Sequence, residues 1–147
     1  MVDVETKLAL KADEPAVREL LEEHGASLLA DGKDPSIFWL SLRPPRAPEE
    51  EYVVRIAWEG GYPHAAPSVK FADGVGGRLD VSSAWPMIPG YRPGEHDICQ
   101  PFTAEAYKVH PEWVEGPEAW PASGNPFLWV VERLVGDMVE RYQGRSG

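Results

Sequence analysis

The sequence predicts a single α+β domain: an N-terminal helix, an antiparallel meander of three or four strands, a long irregular loop, and a C-terminal helix packed on the sheet. Three observations predict it. Apolar residues recur at helical spacing near both ends of the chain, and period-two alternation runs between residues 36 and 71. After that the periodicity dissolves until the last helix. A chain of 147 residues, 43% hydrophobic and 26% charged, is enough for one core-bearing domain, 1–147, with its ordered part at about 13–143.

The first element is expected from Asp13 to Ala30. Asp13 is placed to cap it, and Pro15 falls in the first turn, where a missing N–H costs nothing. Val17, Leu20, Leu21, His24 and Leu28 form one apolar stripe, with Arg18, Glu19, Glu22 and Glu23 on the solvated side. Asp31-Gly32-Lys33-Asp34-Pro35 then turns the chain. Ser36 to Arg43, with Ile37, Phe38 and Trp39, reads as a strand that Pro44-Pro45 stops. Tyr52 to Trp58 alternates, with Tyr52, Val54, Ile56 and Trp58 on one face and Arg55 on the other. The polar run 46–51 joins these two strands as an antiparallel hairpin, and Gly60-Gly61 breaks the second. A third strand follows Tyr62-Pro63, with Val69 and Phe71 pointing inward.

From Ala72 to Gly124 the chain is rich in proline and glycine, with Trp85, Tyr91, Trp113 and Trp120 as aromatic anchors. A stretch this long without periodicity inside a compact domain points to a functional loop. Asn125 then caps a helix with Pro126 in first position and Phe127, Val130, Val131, Leu134, Val135, Met138 and Tyr142 as its stripe. Gly144 ends it and leaves 144–147 as a tail. Leu20, Leu21, Val54, Ile56, Val69, Leu134 and Met138 are expected in the core.

Several classes are excluded. No apolar run approaches the roughly 20 residues of a membrane span, and the N-terminus lacks a basic-then-apolar signal pattern. The net charge of −10 argues against nucleic acid or an anionic membrane as partner. One cysteine rules out an internal disulfide framework and a cysteine-based zinc site, and it fits a reducing, cytoplasmic compartment. No cofactor or metal is expected.

That cysteine lies in His96-Asp97-Ile98-Cys99-Gln100-Pro101-Phe102, with His96 three residues before it and His110 eleven after. A lone cysteine is most often a small buried hydrophobe. A papain-like hydrolase would start a helix at the cysteine, which Gln100-Pro101 prevents. A phosphatase loop would need an arginine where Glu105 stands. His24, His64, Tyr107 and Trp113 read as packing, surface or anchor residues, and Asp97 either orients a histidine or caps the turn.

The ordered set of motifs narrows the field. Tyr-Pro-x-x-x-Pro-x-Val-x-Phe is carried by Tyr62, Pro63, Pro67, Val69 and Phe71, followed by Ile98-Cys99, Trp120 and Asn125-Pro126 before the last helix. This order, covering roughly 13–143, resembles that of the ubiquitin-conjugating enzymes, and a UBC-like fold is what it implies. The resemblance also implies an activity. Cys99 would accept the C-terminus of a ubiquitin-like protein from an activating enzyme as a thioester, and pass it to an amine on a protein target.

The family's His-Pro-Asn motif is missing, its nearest equivalents being Trp85-Pro86-Met87 and Pro89-Gly90-Tyr91. The segments on both sides of Cys99 are long, one helix is expected after it, and the first helix is acidic. In these respects the chain is similar to the divergent stand-alone bacterial members. A free thiol holds a few per cent of thiolate at neutral pH, enough for balanced thioester exchange. Amine attack then builds an oxyanion, and a well-placed donor there is worth roughly 3 kcal/mol. With the asparagine missing, His110, His96 and Tyr91 are the candidate donors. The alternative is a non-catalytic UBC-like or RWD-like interaction module that binds a ubiquitin-like protein or its enzymes.

Overall fold

The computed structural model describes residues 3–58, 61–121 and 123–147. The first helix, α1, is Val4–Glu23, nine residues longer at its start than Asp13 suggested. Asp3 caps it instead, accepting from Thr6 N at 2.7 Å. The helix formers Lys7 to Leu10 extend it, and Thr6, Leu10, Val17 and Leu21 line its buried side. Pro15 therefore sits inside the helix rather than in its first turn. Asp13 serves tertiary structure: its carboxylate accepts from Tyr62 Oη, and its carbonyl from Asn125 Nδ2 at 3.0 Å.

The same helix ends seven residues before the expected Ala30. Gly25 adopts φ +66°, Ala26 N bonds Leu21 O at 2.8 Å and Gly25 N bonds Glu22 O at 3.1 Å. This pair of bonds is the glycine stop that closes many helices. Leu28 accordingly belongs to a strand, β1 (Ser27–Ala30), and His24 is an exposed capping residue rather than part of the stripe. Arg18 ties helix to strand by donating to Leu28 O at 2.8 Å.

The strands β2 (Ile37–Leu42), β3 (Tyr52–Ala57) and β4 (Ser68–Ala72) follow, giving a four-stranded antiparallel sheet in the order β1-β2-β3-β4. The expected hairpin is present, with Leu40 opposite Val54 and Phe38 opposite Ile56. Gly60 of the expected Gly60-Gly61 break lies outside the described residues. Alternation sends Phe38, Leu40, Leu42, Val54, Ile56, Val69 and Phe71 to one face, all buried. Against that face packs α3 (Pro126–Glu140), capped by Asn125, which accepts from Leu128 N at 2.9 Å. Phe127 meets Phe38 edge-on at 4.8 Å. Of the expected core residues only Leu20 is half-buried.

The segment expected to lack regular structure is instead built of short pieces. A 3-10 turn at Ser82–Ala84 leads to a two-stranded ribbon, β5 (Tyr91–Arg92) with β6 (Asp97–Ile98). A six-residue helix, α2 (Ala104–Val109), and a 3-10 turn at Pro111–Val114 come next, so α3 is not the only helix after Cys99. Elements of two to six residues carry too little periodicity to be read. Tyr142 and Gly144 lie past the end of α3, and the expected tail is docked. Its backbone bonds Met87 and Trp85, and Arg145 grips Glu50 at 2.8 Å while stacking 4.2 Å over Tyr52. No helix among the described residues is long and apolar enough to cross a membrane.

Candidate active site

Cys99 follows β6 directly, and its N–H donates to Gly90 O at 2.7 Å, extending the ribbon by one bond. Gly90 has φ +88°, and a side chain there would collide with the Gln100 carboxamide, so only glycine fits. Ile98 is fully buried beside the sheet. Its neighbours Asp97 and Cys99 alternate to the outer side, and Cys99 is half-buried with a free thiol.

The ribbon is pinned from several directions. Thr103 Oγ1 donates to Ile98 O at 2.6 Å and accepts from Ala106 N at 3.1 Å, capping α2. Ala104 N bonds Pro67 O at 2.7 Å, and Ser68 Oγ donates to Glu105 Oε2 at 2.5 Å, which docks α2 on β4. Lys70 Nζ donates to His96 O at 2.7 Å, fixing the tip. Gln100 Nε2 donates to Pro89 O at 2.8 Å.

The candidate residues separate in space. His96 occupies the four-residue tip of the ribbon in the left-handed region, φ 55°, an unusual conformation for a non-glycine. Cys99 lies at the opposite end of β6. His110 caps the far end of α2, stacked on Trp113 at 4.1 Å with Nδ1 3.3 Å from Glu112. Its described contacts are with those two residues. Tyr91 is ruled out as an oxyanion donor, because its ring is buried and its hydroxyl donates to Asp137 Oδ2 on α3 at 2.8 Å. Tyr107 is an anchor, its hydroxyl donating to Glu118 O at 2.5 Å.

The same ribbon carries an ion pair that sequence reasoning did not foresee. Arg92 and Asp97 face each other across the ribbon and form a forked pair, both bonds 2.7 Å. Asp97 thus neither orients a histidine nor caps a turn. Hydrogen bonding to Asp97 holds the Arg92 guanidinium above its usual pKa against the opposing effect of burial, and the charge of Asp97 adds to it. The spacing Arg92-x4-Asp97 around Pro93-Gly94 was the available signal, a short hairpin with opposite charges face to face.

Beneath the ribbon, burial pushes the Asp137 carboxyl above the usual carboxylate range, while the Tyr91 hydroxyl and the charges of Arg141 and Arg133 pull the other way. A carboxyl with a raised folded pKa binds its proton more tightly folded than unfolded. Stability therefore falls as pH rises through the ordinary value near 4 and up to the folded one. Two consequences are expected in urea denaturation. Asp137→Asn, which keeps an acceptor for Tyr91, should leave stability at pH 7 equal or higher. Tyr91→Phe strands the carboxylate and should cost about 1–3 kcal/mol at pH 7, less near pH 4. A Tyr91→Phe penalty independent of pH would contradict the buried pairing.

The motif residues converge at the other end of the site. Tyr62 Oη donates to Asp13 and accepts from Phe127 N, and Trp120 Nε1 donates to Pro63 O at 2.8 Å. One tyrosine thereby joins α1, the β3–β4 connection and the start of α3. Among the described residues no group of three or more His, Cys, Asp or Glu side chains is gathered to hold a metal ion. The site is thus one free thiol and a forked Arg–Asp pair on the same ribbon, with no described imidazole contact at the sulfur. No protein-family model, no curated protein and no solved structure matches the chain.

Proposed function

We propose that the chain is a ubiquitin-like-protein conjugating enzyme of UBC-like fold, carrying the modifier on Cys99. The observation that carries this reading is the placement of Cys99. The only thiol of the chain directly follows β6 of a pinned ribbon, on a half-buried residue two positions after Asp97, which Arg92 pairs. Cys99 Sγ attacks the thioester carbonyl that an activating enzyme presents, and the activating thiol leaves with the proton. A target amine then attacks that carbonyl, a C–N bond forms, the C–S bond breaks, and the amine proton is released as Cys99 is restored. The partners are a ubiquitin-like protein, its activating enzyme and a protein target. A free thiol suits a reducing compartment, and the proposal sets the reaction in the cytoplasm.

The test is a thioester assay with ATP, the modifier and the activating enzyme on non-reducing gels. A thiol-sensitive adduct supports the reading; its absence under conditions that charge the activating enzyme overturns it. The second reading is a non-catalytic interaction module. What favours it is that Tyr91 and His110 are both engaged elsewhere, leaving no described hydroxyl or imidazole contact at the sulfur.

The helix α1 has a divided surface. Lys7 and Lys11 are exposed on its first half, and Glu19, Glu22 and Glu23 on its second. An activating enzyme that meets the acidic half does so with a basic surface. Reversing the three glutamates to lysine should then slow Cys99 loading at low ionic strength. The difference should fade in high salt, where the Debye length falls to about 3 Å. Loading kinetics unchanged at both ionic strengths would show that this half of α1 is only a solvated face.

A further inference from the structure

On the sheet face opposite α3, Trp39, Arg55 and Lys70 stand in one row across β2, β3 and β4. The loop after β4 folds back on itself there, closed by Asp73, which accepts from Arg78 N at 2.8 Å. Gly77 lets it close, since a side chain at that position would strike the Asp73 carboxylate. Between this loop and the β1–β2 turn lies a groove of about 480 Å³. That volume falls in the range of small-molecule sites. Ile37, Leu79 and an edge of the largely buried Trp39 give it apolar surface, and Arg55, Lys33 and Asp31 give it charge.

Among the described residues Arg55 has no counter-ion. Its described hydrogen bond is a long one, 3.3 Å to Ser68 Oγ, and Ser68 directs its own hydroxyl hydrogen to Glu105. Its Nε is buried without a partner, and among the described residues no carboxylate reaches ion-pair distance. The acid on the groove wall, Asp31, does not neutralise it. Asp31 accepts from Lys33 N, Asp34 N and Trp39 Nε1, each at 3.0 Å. A guanidinium with no described carboxylate at ion-pair distance, at the centre of a sheet face, stands out in a chain of net charge −10. Its planar fork matches a carboxylate better than a spherical ion.

We propose that this groove binds a carboxylic acid with an apolar body. The carboxylate lies on Arg55, and the body lies against Trp39, Ile37 and Leu79. Lys33 at the rim adds long-range attraction. One forked cation with a single lysine suits one carboxylate, not a polyphosphate. The site is independent of Cys99.

Two probes with the same ring system test it: 2-naphthoate and its neutral amide, 2-naphthamide, titrated into the full chain. The readout is the indole N–H signal of Trp39 in heteronuclear NMR. Saturable shifts of that signal by naphthoate, with the amide at least about tenfold weaker, are expected from a charge-assisted pair. Arg55→Gln should weaken naphthoate by a similar factor without changing the amide. Arg55→Lys keeps the charge but not the fork and should also weaken naphthoate, which preserves the test should the glutamine variant fail to fold. N-acetyl-Ala-Phe with a free carboxylate forms a second arm. Tighter binding than naphthoate assigns the site to a polypeptide C-terminus, and weaker binding to a free small acid. Equal affinity for naphthoate and naphthamide, indifference to both substitutions, or shifts confined to another face would overturn the proposal.

Discussion

Cys99→Ala is expected to abolish modifier loading completely while leaving the domain folded. The loss should be total because no second thiol exists to take the acyl group. The fold should survive for reasons local to the ribbon. The bond from residue 99 to Gly90 O is made by the main chain, so alanine keeps it. The residue is also only half-buried, and removing its sulfur should cost about 1 kcal/mol or less. Cys99→Ser should collect an oxyester that resists thiols, since an alkoxide is a poorer leaving group than a thiolate. Adducts on non-reducing and reducing gels distinguish the three proteins, and far-ultraviolet circular dichroism checks their folding. Loading of the alanine variant at the wild-type rate would move the acceptor to another residue and remove Cys99 from the chemistry.

Phe127→Ala should give the largest loss of stability, about 3–5 kcal/mol. Phe127 is fully buried in the first turn of α3, and three elements meet on its ring. Phe38 of β2 approaches edge-on at 4.8 Å and Trp58, just past β3, at 5.6 Å, contacts worth about 0.5–1.5 kcal/mol each beyond the buried area. The cavity left would lie between helix and sheet, where neither can collapse without breaking the Asn125 cap or the Tyr62 bonds. Total stability for a domain this size is of order 5–15 kcal/mol, so the variant should be near the edge of folding at 37 °C. Its midpoint should fall by roughly 10 °C. A fall of about 2 °C, by calorimetry, would show that the start of α3 is not packed as described.

Where a side chain's role depended on local pattern, the sequence revealed it. Asn125 and Pro126 announce a helix start by chemistry that needs no partner, and α3 begins there. Alternation in 52–58 separates Arg55 from the core residues because the pleat does the same in any sheet. The start of α1 was misplaced for a local reason as well. Asp13-Glu14-Pro15 has the form of a helix start, yet the helix formers before it carry the helix through. The stop was legible in Gly25, but Leu28 continued the helical spacing by coincidence while belonging to β1. Spacing alone cannot tell a residue in phase from one that has turned a corner.

The chain by itself determined the class of fold, both ends of the last helix within about a turn, and the one residue able to act as a thiol nucleophile. These follow from backbone hydrogen bonding, side-chain period and elemental identity, which are properties of short segments. Tertiary structure decided what surrounds Cys99. It sent Tyr91 inward to Asp137, turned His110 onto Trp113, and set Arg92 against Asp97 across the same ribbon. It also laid the 144–147 segment along Met87 and left the buried Nε of Arg55 without a described partner. Each of these joins residues through space by burial and charge, and a long connection rich in glycine and proline holds no period from which such pairings could be read.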